Sequence, residues 1–259
     1  MLGDEPAALP PDGVVRVAAA GDVHCREERR GEIIDAFGQL RGAADLVLLA
    51  GDLTTHGEPA EAAVLADACR RLGIPVFAVL GNHDWHMNRS REVVEVLRAG
   101  GLTVLERDWA VCRIGDVDIG IVGTKGFVGG FPGSHLPDFG EPLLRAVYRE
   151  GAEEVAALDR GLRAVELCPL RLVLLHYAPT DATLVGEREG IRTYLGTDRL
   201  GAPIAEHEPT LAVHGHAHAG TFSGTIGTVP VYNVSIPVIE RDFHVFELQI
   251  PDQAGARIH

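Results

Sequence analysis

The sequence predicts an α/β fold in which a largely parallel sheet, built early in the chain, is followed by shorter antiparallel strands. Two patterns carry this reading. Over residues 14–101 short apolar runs alternate with stretches of helical spacing, the β-α-β-α-β order that makes neighbouring strands parallel. Beyond Leu102 the runs shorten, and Gly115-Asp116 alone separates two of them, which suits a tight hairpin.

Taken in order, residues 1–13 are acidic and proline-rich and read as a loose leader before one domain over 14–250, with 251–259 as a tail. The run 14–20 is a buried strand ending at Gly21-Asp22-Val23-His24. Residues 29–40 have helical spacing, and 45–50 form a second apolar strand that stops at Gly51-Asp52. A helix over 61–72 closes at Gly73, a strand over 74–79 leads to Leu80-Gly81-Asn82-His83-Asp84, and a helix over 90–99 stops at Gly100-Gly101. The hairpin joins 110–114 to 117–122. Residues 123–140, rich in Gly and Pro, suit a surface loop and an active-site lid equally, since long loops are often functional. Residues 141–167 are mostly helical, with Gly151 and Gly161 as weak points, and a strand over 172–175 delivers His176. A long loop with a short helix fills 177–207, a strand over 210–213 leads to His214, His216 and His218, and 221–223, 229–234 and 243–250 close the chain as antiparallel strands.

The 259 residues are 46% apolar, enough for one large core, and only 5% aromatic, so packing must rest on Ala, Val and Leu. With 23 basic against 37 acidic residues the formal charge is −14, and no basic block tracks a nucleic-acid backbone, which argues against a nuclease. Cys25, Cys69, Cys112 and Cys168 lack CxxC spacing, so no disulfide framework is expected. Cys25 follows a candidate ligand directly, but a small packing group is the commoner use of such a residue. No apolar run approaches the roughly 20 residues of a membrane helix. The expectation is a soluble cytoplasmic protein with reduced thiols and no membrane partner; its oligomeric state is not legible.

Four strands end in polar clusters and a fifth in a lone histidine, where ligand-bearing loops of α/β sheets lie. An amide, an imidazole and a carboxylate side by side at the end of a buried strand are costly without an ion before them. The candidates are Asp22, His24, Asp52, Asn82, His176, His216 and His218, which is too many for one first-row ion and suits two that share a carboxylate. Mixed oxygen and nitrogen donors fit two divalent or trivalent transition-metal ions, Mn, Fe, Zn, Co or Ni, better than Ca or Mg. Such a pair lowers the pKa of a bound water and neutralises phosphoryl oxygens. His83 is then expected to protonate the leaving oxygen, with Asp84 fixing its tautomer. As an alternative, Asp22 and Asp52 alone would serve as helix caps. His214 is expected behind the ligands, His56 and His86 near the pocket or on the surface, and Lys125 and Arg188 more readily at the surface than on a substrate phosphate.

Asp22-Val23-His24, Gly51-Asp52, Gly81-Asn82-His83-Asp84, His176 and Gly215-His216-Ala217-His218, in this order over roughly residues 15–246, resemble the calcineurin-like metallophosphoesterase superfamily. The resemblance implies a four-layer sandwich of two mixed β-sheets flanked by helices. It further implies one metal held by Asp22, His24, Asp52 and His218 and another by Asp52, Asn82, His176 and His216, with Asp52 bridging. Asp84 and Thr54-Thr55-His56 stand where Ser/Thr phosphatases of the superfamily carry Glu and Arg, and the Tyr ligand of purple acid phosphatases is not found. His176-Tyr177-Ala178-Pro179 and Pro230-Val231-Tyr232-Asn233-Val234 look most like small bacterial phosphodiesterase-like members. The expected function is hydrolysis of a small soluble phosphate ester, foremost a phosphodiester. A phosphomonoesterase and a non-catalytic scaffold of the same fold are the alternatives; a scaffold would be free to lose ligands or the acid, and this chain keeps both.

Overall fold

In the computed structural model, which describes residues 13–251, β1 (Val14–Ala20) is apolar but for Arg16 because both of its faces are covered. The leader and tail expected at the two ends lie outside the described residues but for Gly13 and Pro251. Val15, Val17 and Ala19 point into one core and Ala18 into another. β2 (Leu46–Ala50) divides likewise, Leu46, Leu48 and Ala50 against Val47 and Leu49. A period of two thus sends alternate residues of one continuous apolar run to two cores.

Between and after these strands come α1 (Arg30–Gly38), α2 (Pro59–Arg70), β3 (Val76–Val79), α3 (Ser90–Ala99) and the short β4 (Thr103–Val104). The hairpin is present as β5 (Asp108–Ile114) and β6 (Val117–Gly123), paired antiparallel with Ile114 opposite Val117. Next follow α4 (Pro142–Ala164), β7 (Leu170–Leu174), α5 (Arg192–Leu195), α6 (Gly201–His207) and β8 (Leu211–His214). β9 (Ser223–Ile226), β10 (Val229–Asn233), α7 (Ile236–Ile239) and β11 (His244–Gln249) complete the chain.

Two sheets result, a five-stranded one in the order β11-β1-β2-β3-β4 and a six-stranded one in the order β5-β6-β7-β8-β10-β9. Val15, Leu48 and Phe77 of the first meet Ile119, Leu172 and Leu211 of the second in the central core. α1, α2 and α3 cover the outer face of the first sheet, and α4 and α6 that of the second, giving the four expected layers. The closing strands are not all antiparallel, as the sequence suggested. β10 runs parallel to β8 and antiparallel to β9, and β11 leaves for the far edge of the first sheet, where it pairs with β1. α4 also runs unbroken through Gly151 and Gly161.

Within residues 123–140 the first half, up to Phe131, is largely buried, while 132–140 are mostly exposed, as a surface loop would be. Phe131 is buried with Ala178, Leu184, Leu195 and Ala217, and the amides of Gly129 and Gly130 donate to Thr193 O and Gly196 O, so the segment up to Phe131 packs with residues 177–197 beside the strand ends. Among the described residues no helix is long and apolar enough to cross a membrane.

Candidate metal centre

β1, β2 and β3 run parallel in one sheet, and β7 and β8 run parallel in the other. Their carboxyl ends meet along one edge of the sandwich, tied across the sheets where His176 Nδ1 donates to the Ala50 carbonyl at 2.9 Å. Parallel strands continue as paired loops: the amide of Asp22 donates to Gly51 O, that of His24 to Asp52 O and that of Cys25 to Leu53 O. In these loops Asp22, His24, Asp52 and His216 adopt left-handed φ angles of 61°, 47°, 48° and 69°. Such conformations cost of order 1 kcal/mol each for residues with a Cβ and persist where surrounding structure holds them, typically at functional sites.

Potential ligand atoms of Asp22, His24 and His218 gather within 4.8 Å of one another, as do those of Asp52, His176 and His216, and those of His24, Asp52 and His83. Asn82 joins the second group through Oδ1, 2.9 Å from His176 Nε2. Since His176 Nδ1 carries the proton donated to Ala50, Nε2 presents a lone pair, and it faces another lone pair on the amide oxygen. Two acceptors at hydrogen-bond distance are repulsive unless a cation lies between them. His24 Nδ1 is likewise buried without a partner. His216 donates from Nε2 to Tyr194 O at 3.1 Å, leaving Nδ1 for the centre. This donor set, two carboxylates, an amide oxygen and four imidazoles, of which those of His24, His176 and His216 keep a ring nitrogen unspent, fits a pair of transition-metal ions.

The electrostatics agree. Burial pushes His176 and His216 down to about 4, so both present neutral rings, the form that binds metal. Burial also lowers His24, while it raises Asp52, helped by the charge of Asp22. Burial works to raise Asp22 too, but the hydrogen bond from His218 and the neighbouring imidazoles outweigh it and leave the group lowered. His218 is drawn up by Asp22, 2.8 Å away. Gly81 is required here, because a Cβ on it would overlap the carboxylate and amide of Asp52.

His83 sits at the mouth, its ring held between His24, with centroids 4.6 Å apart, and His86, at 4.4 Å. The role expected of Asp84 is filled otherwise. His83 Nδ1 donates to the backbone carbonyl of Thr55 at 2.8 Å, which leaves Nε2 facing the centre, 3.9 Å from Asp52 Oδ2. Asp84 is fully buried and accepts from the amides of Gly81, Leu53 and Thr54 and from Thr54 Oγ1, clamping the Asp52 loop to the Asn82 loop. Burial raises its carboxyl to about 6 against these donors.

Other expectations resolve similarly. His214 is buried behind the ligands, with Nδ1 at Gly215 O and Nε2 at Thr183 Oγ1. His56 pairs with Glu61 rather than the centre. Cys25 is a packing residue, its thiol raised to about 12 by burial. Arg188 is exposed, but Lys125, expected at the surface, is buried. Thr55 and Tyr194 were not among the candidate site residues because both act through backbone carbonyls, which leave no side-chain signature.

The sequence profile of the calcineurin-like phosphoesterases matches residues 15–220. Over 49 residues, 18% of the chain, it is 47% identical to a probable cyclic nucleotide phosphodiesterase of a Synechococcus strain, and that match spans only 19% of the relative's length. Among solved structures, phosphopantetheinyl hydrolase of Mycobacterium tuberculosis superposes with a TM-score of 0.67 at 16% identity, covering 95% of this chain and 99% of that one. A Thermus thermophilus protein superposes with a TM-score of 0.56 at 17% identity, over 85% of this chain and 88% of its own.

Proposed function

This chain belongs to the calcineurin-like phosphoesterase family, and we propose that it hydrolyses a small soluble phosphate ester, foremost a diester, with two transition-metal ions. The observation that carries the reading is the pair of opposed lone pairs on His176 Nε2 and Asn82 Oδ1 beside Asp52. Asp22, His24, Asp52 and His218 would hold one ion, and Asp52, Asn82, His176 and His216 the other, with Asp52 common to both. When bound, the ions supply water activation near neutral pH and charge neutralisation for the phosphoryl group.

The chain's own residues provide the rest. Thr55 O fixes the His83 tautomer, so that a proton taken up at Nε2 is aimed at the leaving oxygen. His24 and His86 restrict the ring on both sides. Asp84 holds the two ligand loops at fixed separation, a support that metal sites need to within fractions of an ångström. The names of the partial relative, a probable cyclic nucleotide phosphodiesterase, and of the M. tuberculosis neighbour, a phosphopantetheinyl hydrolase, support the class of reaction.

The test is hydrolysis of an aryl phosphodiester beside its monoester, by chelator-stripped protein before and after Mn²⁺ is added. Metal-restored cleavage with the diester faster is expected. A faster monoester would make the protein a phosphomonoesterase. Two bound ions with no turnover, in Mn²⁺ or any other transition metal, would leave a scaffold.

A further inference from the structure

We propose that the cleft beside Asn82 seats the organic group of the substrate, and that this group is a flat heterocycle carrying a carbonyl next to an N–H, as thymine, uracil and guanine do. The inference rests on the hydrolase reading. A cleft of about 300 Å³ is lined by Asn82, Trp85, Lys125, Phe127, Glu150 and Tyr177, so it opens from a metal ligand onto three aromatic side chains. The Tyr177 ring packs against His216 and Phe127, at 4.6 and 6.1 Å between centroids, which ties this wall to the metal centre. Trp85, two residues beyond His83, is 44% exposed and supplies a free apolar face.

Lys125 gives the cleft its polarity. Its side chain is buried, with Nζ 4.4 Å above the Phe127 ring and 5.2 Å from that of Tyr177, and its one hydrogen bond among the described residues goes to Gly126 O at 3.1 Å. An ammonium has three donors, so two remain for an occupant. Among the neighbouring carboxylates, Arg107 bonds Glu150, Glu153 and Glu154, Glu154 also accepts from Thr124 and the amide of Gly126, and Glu106 accepts from the amide of Leu80. Glu150 also lines the cleft, and its carboxylate can accept further hydrogen bonds beside the one from Arg107. A ring that offers an acceptor oxygen to Lys125 and an N–H to Glu150 matches this pair, and its faces match the aromatic walls.

The experiment uses metal-loaded protein carrying Trp109→Phe, so that Trp85 is the sole tryptophan. Its emission is titrated with thymidine 5′-monophosphate and with ribose 5-phosphate, which offers the same phosphate without a base. Saturable quenching by the nucleotide, at least tenfold tighter than any response to the sugar phosphate, is expected, and Lys125→Met should erase most of the difference. Equal affinities, or no change in Trp85 emission, would overturn the proposal even if Lys125→Met does not fold. The p-nitrophenyl ester of thymidine 5′-phosphate and ethyl p-nitrophenyl phosphate are then compared by kcat/KM. Base-dependent quenching without cleavage of either ester would uphold the cleft and sink the hydrolase reading; cleavage of both esters alike without quenching would do the reverse.

Discussion

His83 and Asp84 are adjacent in sequence and act on different things. Asp84 satisfies four donors from two loops, so its replacement strands buried N–H groups, each costing about 1–3 kcal/mol if left unpaired. Asp84→Asn keeps the shape but turns an NH₂ toward amide donors, and metal affinity should fall by roughly 10–100-fold, as for other outer supports of a metal site. His83→Ala leaves that clamp and all seven ligands in place. It should keep two metal equivalents through dialysis while losing about 10²–10⁴ in kcat for poor leaving groups. Metal content by elemental analysis beside kcat separates the roles, and equal metal loss in the two variants would refute the division. The candidate ligands could be picked out because each is a polar residue at the end of an apolar strand. The clamp could not, since a carboxylate beside a histidine looks like its partner until the donors from Leu53 and Thr54 are seen.

Elements follow the same rule: what is written in periodicity could be read, and what depends on packing between elements could not. Runs 14–20 and 90–99 coincide with β1 and α3 because their patterns are local. The parallel placement of β10 beside β8, and the departure of β11 to the other sheet, were hidden because strand pairing is set by which edge is vacant. Helix α4 shows this at single positions. Both of its central glycines are weak points by helix propensity, but a Cβ at Gly161 would run into Val122 of β6, whereas one at Gly151 would meet Val128 O at 3.4 Å and Arg199 at 3.7 Å, ordinary contacts. Gly161→Ala should therefore destabilise by about 1–3 kcal/mol through overpacking. Gly151→Ala should stabilise by up to about 1 kcal/mol through helix propensity. Urea denaturation of the two variants tests the sign, and a loss at both positions would mean that α4 is packed as tightly at Gly151 as at Gly161.

For the molecule as a whole, the centre is where the two sheets are joined at one edge. Its candidate ligands come from the ends of β1, β2 and β3 on one side and of β7 and β8 on the other, so ions bound there would cross-link layers that otherwise meet through apolar side chains. They would also relieve a local excess of negative charge in a chain of net charge −14, where burial and the charge of Asp22 raise the carboxyl of Asp52. A ligand that binds only the folded state stabilises it by about 2.7 kcal/mol at one hundred times its Kd. At roughly 2–4 °C per kcal/mol for a domain of this size, chelation should lower Tm by about 5–10 °C, and Mn²⁺ should restore it. Asp52→Asn, at the junction of both ligand groups, should abolish most of that metal-dependent rise. His218→Ala, at the exposed rim of one group, should remove one equivalent of metal and only part of the rise. Thermal unfolding with and without chelator decides the matter: a Tm indifferent to metal would mean that the two sheets hold their edge by apolar contacts alone, and that the strained backbone of Asp22, His24, Asp52 and His216 is supported without ions.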